Sequence, residues 1–171
     1  MRERPVVVFI GPPASGKTRV GKRLARRLGV EFTDSDAVIV AEHGPIPALF
    51  AEHGETYFRE VERRVVHEAL GHAGVVSLGG GAIIDPETRD ELRDIPVVGL
   101  TISLDAVVAR IGNDKRPLVT SPETWNELVQ RRKALYASVA DLTVDTSDRP
   151  AAAIVDEIVE WLHSTGKETR V

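Results

Sequence analysis

A phosphate-binding loop follows the first apolar run of the sequence. The segment GPPASGKT comes directly after VVVFI and fits the spacing G-x-x-x-x-G-K-[ST]. Glycines let successive backbone N–H groups point into one concavity, which suits phosphate oxygens. In such a loop Lys17 can reach the β- and γ-phosphates, and the Thr18 hydroxyl can ligate Mg²⁺. An ordinary turn rich in small residues is the alternative, but a buried strand before the loop and a helical pattern after it favour a nucleotide-phosphate site.

Two carboxylates follow the second predicted strand. Asp34 and Asp36 lie in the segment VEFTDSD, and side chains two residues apart in an extended segment share one face. One carboxylate could act on the water shell of the metal ion and the other on a substrate hydroxyl. The alternative is that TDSD only caps the next helix, since Asp and Ser are common N-cap residues. Both interpretations stay open at this point.

Three consecutive glycines, Gly79, Gly80 and Gly81, end the third predicted strand. They could form a flexible turn between a strand and a helix. Alternatively, three residues without side chains let a ligand approach the backbone N–H groups closely. Because open parallel sheets bind ligands beyond the carboxyl ends of their strands, the position of the triplet favours the second interpretation.

Charged residues at helical spacing and in one polar loop complete the candidate set. Arg59 and Glu62 stand at i and i+3 in GETYFREVERRV, so they project from the same side of one helix. Surface pairing, for example between Glu55 and Arg59 at i and i+4, is the alternative. Further along, NDKRPLV interrupts the helical pattern and places Arg116 before a proline. A flexible basic loop over a phosphate site is typical of a lid, although a solvated loop would have the same composition.

Apolar runs that alternate with helical patterns must position these residues. The five predicted strands are Val6–Ile10, VEFTDSD, GVVSLGGGA, IPVVGLTIS and DLTVDTS. The predicted helices are Lys17–Leu28, Pro47–Glu52, Glu55–Leu70, Pro86–Arg93, Asp105–Ile111, Glu123–Ala137 and Pro150–His163. Strands separated by helices imply right-handed β–α–β crossovers and an α/β fold with a central parallel sheet covered on both faces.

Length and composition indicate a single globular domain over residues 1–171, with a frayed tail over about residues 164–171. The net charge of −4 gives no sign of a general affinity for nucleic acid. The chain has no cysteine, which excludes disulfides and agrees with a cytoplasmic location. Its apolar runs are all much shorter than the ~20 residues of a membrane span, and the N-terminal run leads directly into the phosphate loop. We therefore expect a cytoplasmic protein without nucleic-acid or membrane partners, and we also expect it to be a monomer.

In combination, these motifs resemble the shikimate kinase family. GPPASGKT, DSD, IPALFAEHGETYFREVE, SLGGGAI, RPLV and RRKALY occur in the family's order and spacing over residues 6–160. The resemblance implies an enzyme that uses ATP and Mg²⁺ to phosphorylate the 3-hydroxyl of shikimate, in the pathway to chorismate and the aromatic amino acids. It also implies the P-loop kinase fold, a three-layer sandwich with a five-stranded parallel sheet in the order 2-3-1-4-5. A mobile lid is expected over about residues 112–123.

The resemblance assigns nucleotide contacts along the chain. Lys17 and the lid residue Arg116 act on the phosphates, and Thr18 and Asp34 belong to the Mg²⁺ site. Ala14 stands where the family usually has a further glycine. Arg110 and Arg149 correspond to residues that flank adenine. The loop that cradles the phosphates comprises Gly11, Pro12, Pro13, Ala14, Ser15, Gly16, Lys17 and Thr18.

The resemblance also assigns the acceptor site. Asp36 corresponds to the residue that bonds the reacting hydroxyl, and Arg59 and Arg132 to the clamp on the substrate carboxylate. Arg132 is chosen over Arg131 by its distance from Tyr136 in the sequence. Glu62 corresponds to a partner that holds Arg59. The glycines of the triplet (Gly79, Gly80 and Gly81) line the acceptor, Gly80 and Gly81 through backbone contacts.

Other functions remain alternatives at this point. A gluconate or nucleotide kinase of similar architecture would share the phosphate loop but would not explain Arg59, Arg132 and the glycine triplet together. A GTPase is disfavoured because the sequence has no N-K-x-D guanine motif. A nucleotide-binding domain without catalysis is the alternative from another class, and Lys17 together with the two aspartates argues against it.

Overall fold

The computed structural model describes residues 2–113 and 121–165, without the side chains of residues 111–113. The described residues form five strands, β1 (Val7–Ile10), β2 (Phe32–Asp34), β3 (Val75–Ser77), β4 (Val97–Thr101) and β5 (Leu142–Asp145). Their α-helices are α1 (Lys17–Leu28), α2 (Ser35–His43), α3 (Ile46–Ala69), α4 (Pro86–Leu92), α5 (Leu104–Asn113), α6 (Pro122–Val139) and α7 (Ala151–Ser164). A short 3₁₀ turn, Ala82–Ile84, links β3 to α4.

All strand pairs are parallel, and the strand order is β2-β3-β1-β4-β5. The parallel pairing confirms the sheet predicted from the sequence, and the strand order confirms the one that the family resemblance implies. β1 lies in the middle, pairing with β3 on one side and with β4 on the other. The carboxyl ends of β1, β2 and β3 are therefore neighbours at one edge of the sheet, and the loops that follow these strands meet there.

Helices cover both faces of the sheet because the strands bury both of their faces. On one face, β1 and β3 contribute Val8 and Val76 to a core with α3, α4 and α6. On the other face, Phe9 and Val75 pack with α1 and α7. All four residues of β1 are buried, which is typical of a central parallel strand. The result is the expected three-layer arrangement.

Helix α2 was not predicted. Its residues SDAVIVAEH include several β-branched side chains, which have a weak helical propensity. It packs against α3, and Ile39 is fully buried in a small core with Leu49 and Phe58. The predicted break between two helices near residue 54 is present as a kink, since Gly54 has φ 81° inside α3. Packing against α3 therefore stabilises α2 in spite of its weak helical propensity.

The predicted lid falls largely outside the described residues. Residues 112–113 belong to the end of α5, and Ser121 caps α6, whose first residues are 122 and 123. Residues 114–120, among them Arg116, lie outside the described part of the chain, as do residues 166–171 of the predicted tail. Within residues 2–113 and 121–165, no helix is both long and apolar enough to cross a bilayer.

Candidate active site

The phosphate loop adopts backbone conformations that favour glycine. Gly11 has φ 145° and Gly16 has φ 96°. A Cβ on Gly11 would lie 2.5 Å from the carbonyl oxygen of Leu100, so only glycine fits there. Ala14 has φ 66°, in the left-handed region where an alanine is strained. The extra methyl group at this position therefore costs the loop conformational energy, while the backbone N–H group of residue 14 is retained.

Lys17 begins α1 directly behind the loop. Its Nζ donates to the carbonyl oxygens of Gly11 and Pro12, at 2.7 and 2.9 Å. Burial lowers the pKa of Lys17 to about 8, although the nearby carboxylates of Asp36 and Asp34 act in the opposite direction. The half-buried ammonium group thus lies between the loop and two acids, and its surroundings do not fully compensate its charge.

Thr18 and Asp34 form the adjoining oxygen pair. The Thr18 hydroxyl donates to Oδ2 of Asp34 at 2.8 Å. The other carboxylate oxygen of Asp34 accepts the backbone N–H groups of Asp36 and Ala37, so Asp34 is the N-cap of α2. The capping interpretation is therefore right for Asp34, but the same side chain also faces the phosphate loop.

Asp36 lies in the first turn of α2 and not in an extended segment. The expectation that Asp34 and Asp36 share one face of an extended strand end is wrong, because the helix begins at Ser35. Burial and the charge of Asp34 raise the pKa of Asp36, whereas Lys17 and Arg59 lower it. A Cβ on Gly79 would lie 2.5 Å from Oδ1 of Asp36, so this carboxyl group sits directly against the glycine triplet.

Arg59 and Glu62 form the pair that their spacing predicts. Arg59 Nη1 donates to Oε1 of Glu62 at 2.7 Å, and Glu62 is only 4% exposed. Burial raises the pKa of Glu62, while Arg59 acts in the opposite direction. The alternative partner, Glu55, is highly exposed and 3.8 Å away. Glu62 therefore fixes the guanidinium of Arg59 beside Gly81, where a Cβ would lie 2.5 Å from Nη1.

Arg132 approaches the same loop from α6. A Cβ on Gly80 would lie 3.6 Å from Nη1 of Arg132 and 3.0 Å from the ring of Pro13 in the phosphate loop. Tyr136, one turn further along α6, donates its hydroxyl to the carbonyl oxygen of Gly80 at 2.6 Å. Burial raises the pKa of Tyr136, and a hydrogen bond with Arg132 opposes this shift. Tyr136 thus ties Arg132 to the glycine triplet.

Two glycines of the triplet make room for charged side chains, and Gly80 makes room for the ring of Pro13. Gly79 adjoins Asp36, Gly80 adjoins Arg132, and Gly81 adjoins Arg59. The N–H group of Gly79 donates to Oγ of Ser35 at 2.9 Å, so Gly79 cannot offer it to a ligand as the sequence suggested. The structural reason for the triplet is therefore the close approach of Asp36, Pro13 and Arg59, and backbone contacts remain a prediction for Gly80 and Gly81.

The resemblance assigns two further described basic residues, Arg110 and Arg149, to the nucleotide. Arg110 donates to the carbonyl oxygens of Ala14, at 3.3 Å, and Thr146, at 2.8 Å, so it lies over the phosphate loop. Arg149 pairs with Glu157 at 2.6 Å near the start of α7. The contacts of Arg110 and Arg149 with adenine stay predictions.

Sequence reasoning missed four residues that hold the loops in place. Trp125 donates its indole N–H to the carbonyl oxygen of Pro13 at 2.8 Å. Thr146 donates its hydroxyl to the carbonyl oxygen of Ser15 at 2.7 Å. Ser35 and Tyr136 bond Gly79 and Gly80 as described above. All four act on backbone atoms far away in the sequence, so no local pattern marks them.

We predict that Gly81→Ala weakens binding of a carboxylate-bearing acceptor. Gly81 has φ −101°, which alanine tolerates, so the backbone is not strained. The new methyl group would displace Arg59 from its bond with Glu62 and thereby loosen one charged contact, worth ~1.5–3 kcal/mol or roughly 10–100-fold in acceptor KM. Steady-state kinetics with varied acceptor would measure this change. The KM for nucleotide serves as the internal control and should stay the same; an unchanged acceptor KM would contradict the prediction.

Taken together, these contacts place a phosphate cradle beside a pocket with two arginines and two carboxylates of raised pKa, of which Glu62 is bonded to Arg59 and Asp36 lies against the glycine triplet. Phosphoryl transfer requires cations around the phosphates and a carboxylate at the attacking hydroxyl. Paired arginines suit a planar carboxylate on the acceptor. The site can therefore phosphorylate a hydroxyl group of a small carboxylic acid.

Comparison with known proteins agrees with this chemistry. The family model described as shikimate kinase matches residues 13–163. The chain is 45% identical to the shikimate kinase of Mycobacterium avium, covering 94% of this chain and 95% of that protein. It is 42% identical to that of Thermobifida fusca, covering 97% and 99%.

Solved structures show the same likeness. A shikimate kinase from Acinetobacter baumannii in complex with shikimate is 34% identical, with a TM-score of 0.83 over 94% of this chain and 93% of that chain. A gluconokinase from Sinorhizobium meliloti is 21% identical, with a TM-score of 0.60 over 95% and 94%. The second likeness concerns the fold alone.

Proposed function

The chain belongs to the shikimate kinase family, and from that membership we propose that it transfers the γ-phosphoryl group of ATP to the 3-hydroxyl of shikimate. The products are shikimate 3-phosphate and ADP, in the pathway to chorismate and the aromatic amino acids. The observation that carries the proposal is the meeting of Asp36, Arg132 and Arg59 on three consecutive glycines beside Lys17. This set matches a substrate that has both a carboxylate and a hydroxyl group.

On the nucleotide side, the loop from Gly11 to Thr18 binds the phosphates. Lys17 exchanges its bonds to two loop carbonyls for bonds to phosphate oxygens, and its charge stabilises the negative charge that develops on the γ-phosphoryl group. Arg116, outside the described residues, adds a second cation in this proposal. Arg110 lies over the loop, and Arg149 pairs with Glu157 near the start of α7; we propose that both flank adenine.

The residues present fit a Mg²⁺ ion. Thr18 and Asp34 supply hydroxyl and carboxylate oxygens within 2.8 Å of each other, and Mg²⁺ is bound through oxygen ligands. Within the described residues, no group of three or more acidic or histidine side chains could hold a metal ion. Mg²⁺ usually takes only one or two carboxylates and completes its shell with water and substrate phosphates. When bound here, it would neutralise part of the phosphate charge.

On the acceptor side, Arg59 and Arg132 hold the carboxylate of shikimate and thereby direct its 3-hydroxyl toward Asp36. Asp36 accepts the hydroxyl hydrogen while the hydroxyl oxygen forms its bond to the γ-phosphorus. The bond between the γ-phosphorus and the bridging oxygen breaks, and that oxygen leaves with ADP. The raised pKa of Asp36 makes it a better proton acceptor than an exposed aspartate.

A coupled assay tests the proposal directly. Purified protein with ATP, Mg²⁺ and shikimate should release ADP and form shikimate 3-phosphate, identified by mass spectrometry. Gluconate and nucleoside monophosphates in place of shikimate test the alternative kinases, and we expect no turnover with them. Nucleotide binding without turnover on any acceptor would contradict the proposal and favour a binding domain.

We also predict that ADP binding depends on the protonation of Lys17. Only the ammonium form pairs with phosphate, so affinity should fall as the pH rises through about 8. Bound phosphates raise the pKa of Lys17, so binding near this pH should take up protons. Calorimetry in buffers of different ionisation enthalpy measures this uptake.

The variant Lys22→Ala, which removes an exposed lysine of the same helix, is the control. It should keep the proton uptake, whereas Lys17→Ala should lose it. An affinity that stays constant between about pH 7 and pH 9.5 would contradict the assignment.

A further inference from the structure

Helix α6 contacts the phosphate loop and the glycine triplet at the same time. Trp125, Arg132 and Tyr136 stand at i, i+7 and i+11, so they project from one face of the helix. The indole N–H of Trp125 donates to the carbonyl oxygen of Pro13 at 2.8 Å. The hydroxyl of Tyr136 donates to the carbonyl oxygen of Gly80 at 2.6 Å. One rigid element therefore bonds both loops.

The two loops also touch each other at this point. The Cβ position of Gly80 lies 3.0 Å from the ring of Pro13, which leaves no room for a side chain between them. Arg132, on the same helix face, lies 3.6 Å from that Cβ position. A displacement of Pro13 would therefore also displace Gly80 and α6, because closely packed neighbours do not move independently.

Trp125 itself is firmly held. It is 1% exposed and packs in a small core with Ile102 and Val107, apart from the two main cores of the sheet. Its only polar atom is used in the bond to Pro13. The bond is thus anchored by buried apolar surface at one end and ends on the exposed tip of the phosphate loop at the other.

We propose that Trp125 is a positioning residue that couples the binding of nucleotide to the binding of the acceptor. The inference rests on the proposed function, since it takes ADP and shikimate as the two ligands. Phosphate binding orders the loop around Pro13, and the bond from Trp125 transmits that order to α6 and so to Arg132. The ligand that binds second then loses less conformational entropy, because the same contacts are already ordered. This gives positive coupling between the sites.

The test measures the affinity for shikimate with and without saturating ADP, by calorimetry. The coupling factor is the ratio of the two dissociation constants, and in the parent protein it should lie in the range of about 5–150-fold that is typical of coupled sites. Trp125→Phe keeps the ring but removes the N–H group. Its coupling factor should fall about fivefold, the factor that an ordinary hydrogen bond represents. Shikimate affinity without ADP should stay close to that of the parent.

Trp161→Phe is the matched control, because it removes the second of the two tryptophans, from the distant helix α7. It should keep the parent's coupling factor. It also leaves Trp125 as the sole tryptophan. The fluorescence of this variant therefore reports on the bond between Trp125 and Pro13, and neither of these two residues is altered. We expect its emission to shift with ADP and again with shikimate.

Tyr136→Phe tests the other end of the link and remains informative if Trp125→Phe folds poorly. It too should lower the coupling factor, and the double variant should lose no more than either single variant, because both act through one helix. Three results would overturn the inference: a parent-like coupling factor in both single variants, no coupling in the parent, or a Trp125 emission that does not change with either ligand. If shikimate failed to bind the parent at all, the proposed function would fail first.

Discussion

Lys17→Ala should reduce kcat by ~10³–10⁵-fold, by analogy with the loss of an arginine finger from a phosphoryl-transfer site. Lys17 is the first residue of α1, next to the phosphate loop. Its Nζ lies within 2.9 Å of two carbonyl oxygens of that loop. The fold should not suffer. Burial lowers the pKa of Lys17 to about 8, which means that its charged form is less favourable in the folded protein than in the unfolded chain. Single-turnover kinetics and thermal melts of the variant measure both effects.

Lys22→Ala is again the control, as an exposed lysine one turn further along α1. It should match the parent in rate and in melting temperature. A Lys17→Ala variant within about tenfold of the parent rate would contradict the role of Lys17 in transition-state stabilisation. A large fall in melting temperature would show instead that the two bonds to the loop carbonyls matter more for the fold than the cost of the buried charge.

The part of the molecule that sequence predicts best is the part whose signal is local. The phosphate-loop spacing and the amphipathic pattern after it predict α1 with both of its ends, which left-handed Gly16 and Gly29 flank. The five apolar runs likewise predict the parallel sheet, since helical patterns separate them along the sequence. These elements need no distant contact to be recognised.

Elements and contacts that depend on distant residues were not predicted. Helix α2 is stabilised by packing against α3. Its own residues include Val and Ile, which have a low helix propensity, so its sequence alone does not predict a helix. Its start at Ser35 turned the expected strand end into a helix cap and changed the placement of Asp36. Ser35 and Trp125 likewise act on backbone atoms 44 and 112 positions away.

The glycine triplet shows that the sequence can single out a turn for an incomplete reason. The sequence indicates that ligands approach this turn, because it ends a parallel strand. The structure adds that the missing Cβ atoms admit Asp36 at Gly79, the ring of Pro13 at Gly80 and Arg59 at Gly81. This reason can be given only when it is known which side chains lie against the turn, and they come from the phosphate loop and from two different helices.

Asp36→Asn should reduce kcat by roughly 10²–10⁴-fold, the usual range for a positioned acid or base. The substitution keeps the shape of the side chain but removes the charge that orients the 3-hydroxyl and accepts its hydrogen. The helix cap is unaffected, because Asp34 and not Asp36 caps α2. ADP affinity should change little. The pH profile offers a second measurement, since the raised pKa of Asp36 should move the acidic limb of kcat/KM above the range of an ordinary aspartate, and the variant should lose that limb.

Asp34→Asn is the comparison that separates the two carboxylates. Asparagine caps a helix as well as aspartate does, so the start of α2 should persist in this variant. The substitution should weaken the Mg²⁺ site that Asp34 forms with Thr18, so activity should recover in part as the Mg²⁺ concentration is raised. Asp36→Asn should show no such recovery, because the lost group acts on the acceptor hydroxyl. Near-parent kcat in Asp36→Asn, or recovery of that variant with Mg²⁺, would place the acceptor hydroxyl elsewhere in the site.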